Sequence, residues 1–70
     1  MPHMAITMYP GRSREIKEEL AGRMKQAMAE ALQVDPKVVS VSIEDIPQEQ
    51  WQEHLERIPD ELMFRRPGEE

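Results

Sequence analysis

The stretch Pro2-His3-Met4-Ala5-Ile6-Thr7-Met8-Tyr9-Pro10-Gly11-Arg12-Ser13 decides the fold. Met4, Ile6 and Met8 alternate with His3, Ala5, Thr7 and Tyr9, which is the period of a strand with one apolar face. Pro10-Gly11 breaks that strand. Ser13 then offers a hydroxyl to cap a helix, and Glu15 suits the positive end of its first turn. From there Ile16, Leu20, Met24, Ala27, Met28, Ala31 and Leu32 recur at spacings of three and four, so an amphipathic helix is expected over 14–32. Gly22 falls inside it, where a glycine weakens a helix by up to about 1 kcal/mol relative to alanine; close approach of another backbone, or nothing at all, would account for it.

Asp35-Pro36 marks a second break, with Asp35 as cap and Pro36 in a first-turn position. The β-branched run from Val38 to Ile43 reads as a second strand with Val39, Val41 and Ile43 inward. Pro47 ends it, and Trp51, Leu55 and Ile58 follow at helical spacing, interrupted by Pro59. Leu62-Met63-Phe64 is too apolar to be simply solvated, and residues 65–70 read as a tail. Strand, long helix and strand make a β-α-β unit of the α/β class, because parallel strands need a crossover of this length. The whole chain, 1–70, is expected to form one domain with a short C-terminal helix.

Size then limits what the unit can do alone. A domain of 70 residues buries only roughly 60% of its unfolded surface, and two strands do not make an independently stable sheet. The chain has no cysteine, and His3 and His54 stand apart, so neither disulfides nor a structural metal are expected to reinforce it. Association remains. A second copy pairing edge to edge gives a four-stranded sheet with helices on one face, so a homo-oligomer is expected. Net charge is −5 and the basic residues are scattered, which argues against nucleic acid or an anionic membrane surface as partner. No apolar run approaches membrane-spanning length and none resembles a secretion signal, so a cytoplasmic protein is expected.

Phosphate-binding glycine loops, zinc spacings and nucleophile elbows are missing. The unusual feature is Met1-Pro2 placed directly before a strand. Removal of Met1, which a small second residue permits, leaves Pro2 with a free secondary amine. Such an amine titrates near 8, and apolar surroundings or a neighbouring cation lower that value. It is then poised as a general base for a proton beside a carbonyl. With Met1 retained, the same nitrogen is an amide and no base.

The Pro-His-Met-Ala-Ile-Thr-Met-Tyr-Pro-Gly-Arg-Ser start, the amphipathic helix and the Val-rich strand resemble the 4-oxalocrotonate tautomerase family from Pro2 through Trp51. The Pro-His start, Trp51 and Arg65-Arg66-Pro67-Gly68 look most like its dimeric bacterial PptA-type members. The resemblance implies a β-α-β protomer that dimerises, with a hexamer as second choice. It also implies enol–keto tautomerisation of a small 2-oxo acid without cofactor or metal. Pro2 falls on the family's catalytic proline and Arg12 on the arginine that binds the substrate carboxylate. Trp51 falls on an aromatic wall of the proline pocket, and Ser40 where hexameric members carry a second arginine. Serine offers only a neutral hydrogen bond, roughly half as strong as a charge-assisted one. A phenylpyruvate-like substrate with one carboxylate is therefore expected over a dicarboxylate.

Taken without the resemblance, Arg12 reads as a solvated turn residue, Trp51 as core beside Leu55 and Ile58, and His3 as a structural residue of the strand face; His3 also borders Pro2, where it would tune the amine, and with Ser40 it is a weaker candidate for contact with the substrate. Arg65 and Arg66 read as a charged tail, or as a second anion clamp. Two other functions fit the scaffold. One is hydration, dehalogenation or decarboxylation of a 3-carbon acid, for which Glu44 or Asp45 would have to supply the acid. The other is a small dimeric module without catalytic activity.

Overall fold

The computed structural model describes residues 1–69; Glu70, the last residue of the expected tail, lies outside them. The order is β1 (His3–Met8), α1 (Arg14–Leu32), a 3-10 turn (Pro36–Val38), β2 (Ser40–Asp45), α2 (Gln48–Glu56) and a second 3-10 turn (Asp60–Leu62). β1 and β2 are parallel, in a register that runs from His3 opposite Ser40 to Met8 opposite Asp45. The β-α-β reading of the sequence is therefore the observed protomer.

Local chemistry explains the boundaries. α1 has the predicted limits because Ser13 Oγ accepts from the Ile16 N–H at 3.2 Å. At its other end Gln33 takes a left-handed conformation, φ 57°, and Val34 N–H reaches back to the Ala29 carbonyl at 3.0 Å. β2 starts two residues later than the β-branched run suggests. Asp35 accepts from the Lys37 N–H at 2.9 Å and Pro36 fixes its own φ, so Val38 is drawn into the 3-10 turn. Val39 still points inward, at 3% exposure. The ladder runs past Ile43 to Asp45, and Ile46 N–H adds one more bond to the Met8 carbonyl at 2.8 Å. Pro47 thus sits at the start of α2 rather than at the end of the strand. α2 closes at Glu56, leaving Ile58 beyond it.

α1 packs chiefly over β2, and Lys17 Nζ donates to Asp45 Oδ2 at 2.8 Å to tie the two together. Among the described residues only Ala29, Val39 and Ile46 are buried. Met4, Ile6 and Met8 on β1 are half-buried, and the ends of the helical stripe, Ile16 and Leu32, are exposed. Leu62 and Phe64, expected to be covered, are 60% and 80% exposed within the protomer. A cap-sized gap is not the reason for Gly22: a Cβ built there meets nothing within 4 Å, so no backbone of this chain approaches it.

These residues add up to an open protomer. Its accessible surface is 5931 Å² at 8.2 kDa, whereas a compact monomer of that mass exposes about 4500 Å². The radius of gyration is 13.5 Å, against about 11 Å for a compact chain of this length. The excess surface is larger than the roughly 800 Å² per partner that a standard interface removes. Sheet completion by a second copy is consistent with this shape. No described helix is long and apolar enough to cross a membrane.

Candidate active site

The residues singled out from the sequence form two groups, one at each end of β1. At the start, Pro2 is half-buried and its carbonyl accepts from the Ser40 N–H at 3.2 Å. His3 lies opposite Ser40 in the register, on the sheet face turned away from α1. Its Nδ1 sits 2.6 Å from Ser40 Oγ and its Nε2 3.0 Å from Ser42 Oγ. In a neutral imidazole one of these nitrogens donates and the other accepts. Both serine hydroxyls are thereby engaged by one ring. Met1 is 98% exposed and contributes nothing to the core.

At the far end the chain turns through Pro10-Gly11, where Gly11 adopts φ 126°, a conformation that side-chain-bearing residues rarely take. That turn carries Arg12 back beside the end of the strand. Arg12 shares an open hollow of about 320 Å³ with Thr7, Met8, Tyr9 and Trp51. Trp51 comes from α2 and meets Tyr9 edge to face, with ring centroids 5.1 Å apart and planes at 84°. Among the described residues Arg12 has no carboxylate partner, whereas Arg14, Arg23, Arg57 and Arg66 each pair with an acid. A guanidinium left unpaired beside an aromatic edge is suited to a planar carboxylate, which it can hold with two parallel bonds.

The protomer does not bring these groups together. β1 has six residues, and at about 3.3 Å per residue it separates Pro2 from the Arg12 hollow by about 20 Å. Trp51 therefore walls the arginine, not the proline of its own chain. Tyr9 was not among the residues the sequence pattern picked out, because alternation merely placed it on the outer face of β1. Its rarity was the available signal: the chain has one tyrosine, one tryptophan and one phenylalanine.

Other candidates fall elsewhere. Asp45 is engaged by Lys17. Glu44 lines a separate, more enclosed cleft of about 390 Å³ with Ile46, Gln50, Glu53, His54 and Arg57. The Arg57 charge there is answered by Glu53 at 2.9 Å, which makes that cleft a poorer anion site than the hollow. Neither acid lines the Arg12 hollow. Arg66 pairs with Asp60 at 3.4 Å and Arg65 donates to the Phe64 carbonyl at 2.7 Å, both away from it. Among the described residues no group of three or more metal-ligating side chains is assembled.

Comparison with known proteins agrees with this architecture. The family model described as Tautomerase enzyme matches residues 2–60. The chain is 37% identical over 73 aligned positions to a protein of Xylella fastidiosa (strain 9a5c) described as a probable tautomerase; the match covers 97% of this chain and 88% of that one. No solved structure gives a significant match. The chain belongs to the tautomerase family, and with it to the isomerases acting on small molecules.

Proposed function

We propose that this tautomerase interconverts the enol and keto forms of a 2-oxo acid bearing one carboxylate, such as phenylpyruvate, with Pro2 as base and acid once Met1 is removed. The observation that carries the reading is the unpaired Arg12 guanidinium beside the Tyr9–Trp51 pair. Arg12 holds the carboxylate and polarises the adjacent oxygen. The free amine of Pro2 takes the enol hydroxyl proton, and the electron pair of that O–H bond forms the carbonyl. The resulting ammonium delivers a proton to the neighbouring carbon, so the amine is regenerated and no cofactor or metal is consumed.

The separation of about 20 Å between Pro2 and the Arg12 hollow supports a site shared by two protomers, the proline from one and the arginine hollow from the other. An antiparallel arrangement of two β1 strands puts the start of each near the end of its partner. We favour a dimer over a hexamer. The segment after Trp51 is helical, where the resemblance implies a glycine-rich hairpin in hexameric members. The sheet face away from α1 also presents exposed His3, Ser40, Ser42 and Glu44, a poor surface for packing dimers together. That composition suits a discrete dimer, and we place it in the cytoplasm on the sequence reading alone. Hydration or dehalogenation finds less support, since Glu44 and Asp45 are both placed away from the hollow.

The test is ketonisation of phenylpyruvate enol by protein shown by mass spectrometry to begin at Pro2. Extending the amino terminus by one residue converts the amine to an amide and is expected to lower the rate by about 10²–10⁴, the range of a general base. Undiminished turnover by the extended chain would remove Pro2 from the mechanism.

A further inference from the structure

With one tryptophan, one tyrosine and one phenylalanine in 70 residues, the chain could have used aromatics to build its core. It does not: among the described residues the buried ones are Ala29, Val39 and Ile46, while Trp51 is half-buried and Tyr9 and Phe64 are exposed. Two of the three aromatics, 42 positions apart in sequence, instead meet at the rim of the hollow that holds Arg12. Tyr9 remains 42% exposed there, so its contact with Trp51 shields little surface from water. Trp51 also has the His54 ring at 6.4 Å on its α2 side, with planes inclined by 33°. Trp51 thus has two ring neighbours, His54 along α2 and Tyr9 just past the end of β1.

We propose that Tyr9 is a specificity-determining residue: with Trp51 it forms an aryl subsite beside Arg12, so that the enzyme prefers 2-oxo acids carrying an aromatic ring to aliphatic ones of the same charge. The proposal rests on Arg12 as the carboxylate grip. With the carboxylate held there, the rest of a short substrate must extend across the Tyr9–Trp51 corner. An edge-to-face pair offers a third ring both a face and an edge, the arrangements aromatic groups prefer. An aliphatic group gains only the apolar contact. Aromatic pairing of this kind is a contribution of about two- to tenfold in binding.

The experiment compares kcat/KM for the enols of phenylpyruvate and of an aliphatic monocarboxylic 2-oxo acid in the wild type, Tyr9→Phe and Tyr9→Ala. The ratio of the two is insensitive to the active fraction of a preparation. Tyr9→Phe should keep the preference, and Tyr9→Ala should reduce it about two- to tenfold by losing the aryl substrate selectively. Tyr9→Leu, which keeps apolar bulk, replaces the alanine variant if that chain folds poorly, and should still lose most of the preference. A second arm needs no turnover: titration with cinnamate and with acrylate, read by the fluorescence of the single tryptophan. Cinnamate should bind the more tightly, and the difference should shrink in Tyr9→Ala. If the wild type fails to ketonise either enol while this binding difference holds, the reaction assignment falls and the aryl subsite stands. If the wild type turns over but Tyr9→Ala and Tyr9→Leu keep its preference, the subsite is overturned and the reaction stands.

Discussion

The two ends of β1 are built by different means. The start is held by polar bonds to the neighbouring strand: the Pro2 carbonyl takes the Ser40 N–H, and His3 spans Ser40 and Ser42. The far end is held by a glycine turn and an aromatic contact reaching in from α2, and it presents a cation without a counter-ion. One end carries a candidate base and no charge to bind an acid; the other carries the charge and no base. On the function proposed above, the protomer holds two halves of a site and completes neither, which is consistent with its surplus of accessible surface.

Removing the charge from the far end is expected to have a large effect. Arg12→Ala should lower kcat/KM for a 2-oxo acid about 10- to 100-fold, the value of a charge-assisted bidentate grip. A rise in KM alone would mean that the grip is equal in ground and transition states; a fall in kcat as well would show that the guanidinium also stabilises the enolate. Activity unchanged within twofold would break the comparison, because the far end would then bind no substrate.

Gly11→Ala tests how the far end is aimed. At φ 126° a side chain is strained, and such strain costs about 1–3 kcal/mol. Either the turn persists and the melting temperature drops, or the turn relaxes and Arg12 is displaced, with kcat/KM falling while stability holds. A variant equal to the wild type in both measurements would show that the turn does not position Arg12.

The smallest change is expected at the start of the strand. His3→Ala removes two hydrogen bonds on an exposed face, each worth about 0.5–1.5 kcal/mol at most, and should lower the melting temperature by only a few degrees. It should leave KM nearly unchanged, since the carboxylate is held at the other end. A KM effect as large as that of Arg12→Ala would merge the two ends into one binding site and remove the distinction.

What the sequence disclosed follows from how local each signal is. The limits of α1 were legible because periodicity and the Ser13 cap act within a few residues of each other. β2 was displaced by two residues because Asp35-Pro36 captures Val38, whose β-branched side chain fits a strand equally well. Arg12 was singled out only through resemblance, since a turn arginine has no distinctive neighbourhood in the chain, whereas Pro2 was also marked by its place between Met1 and a strand. The His3 clasp needs the β1–β2 register, and the Tyr9–Trp51 pair needs the path of α2. Neither is encoded in spacing. Trp51 was read as core or as a wall beside Pro2. Within its own chain it is half-buried, meets Tyr9 edge to face and lines the hollow that holds Arg12.

Subunit complementation tests the shared site most directly. One chain carries a residue added before Pro2, so its amine is blocked; the other carries Arg12→Ala; each alone is expected to keep at most about a tenth of the wild-type activity. Mixed and allowed to exchange partners, half of the dimers are hybrids and each hybrid restores one of its two sites, so activity should return to about one quarter of the wild-type value. A mixture that stays at the sum of its inactive parts, with hybrid dimers demonstrated by mass spectrometry, would contradict a site in which Pro2 and Arg12 come from different protomers.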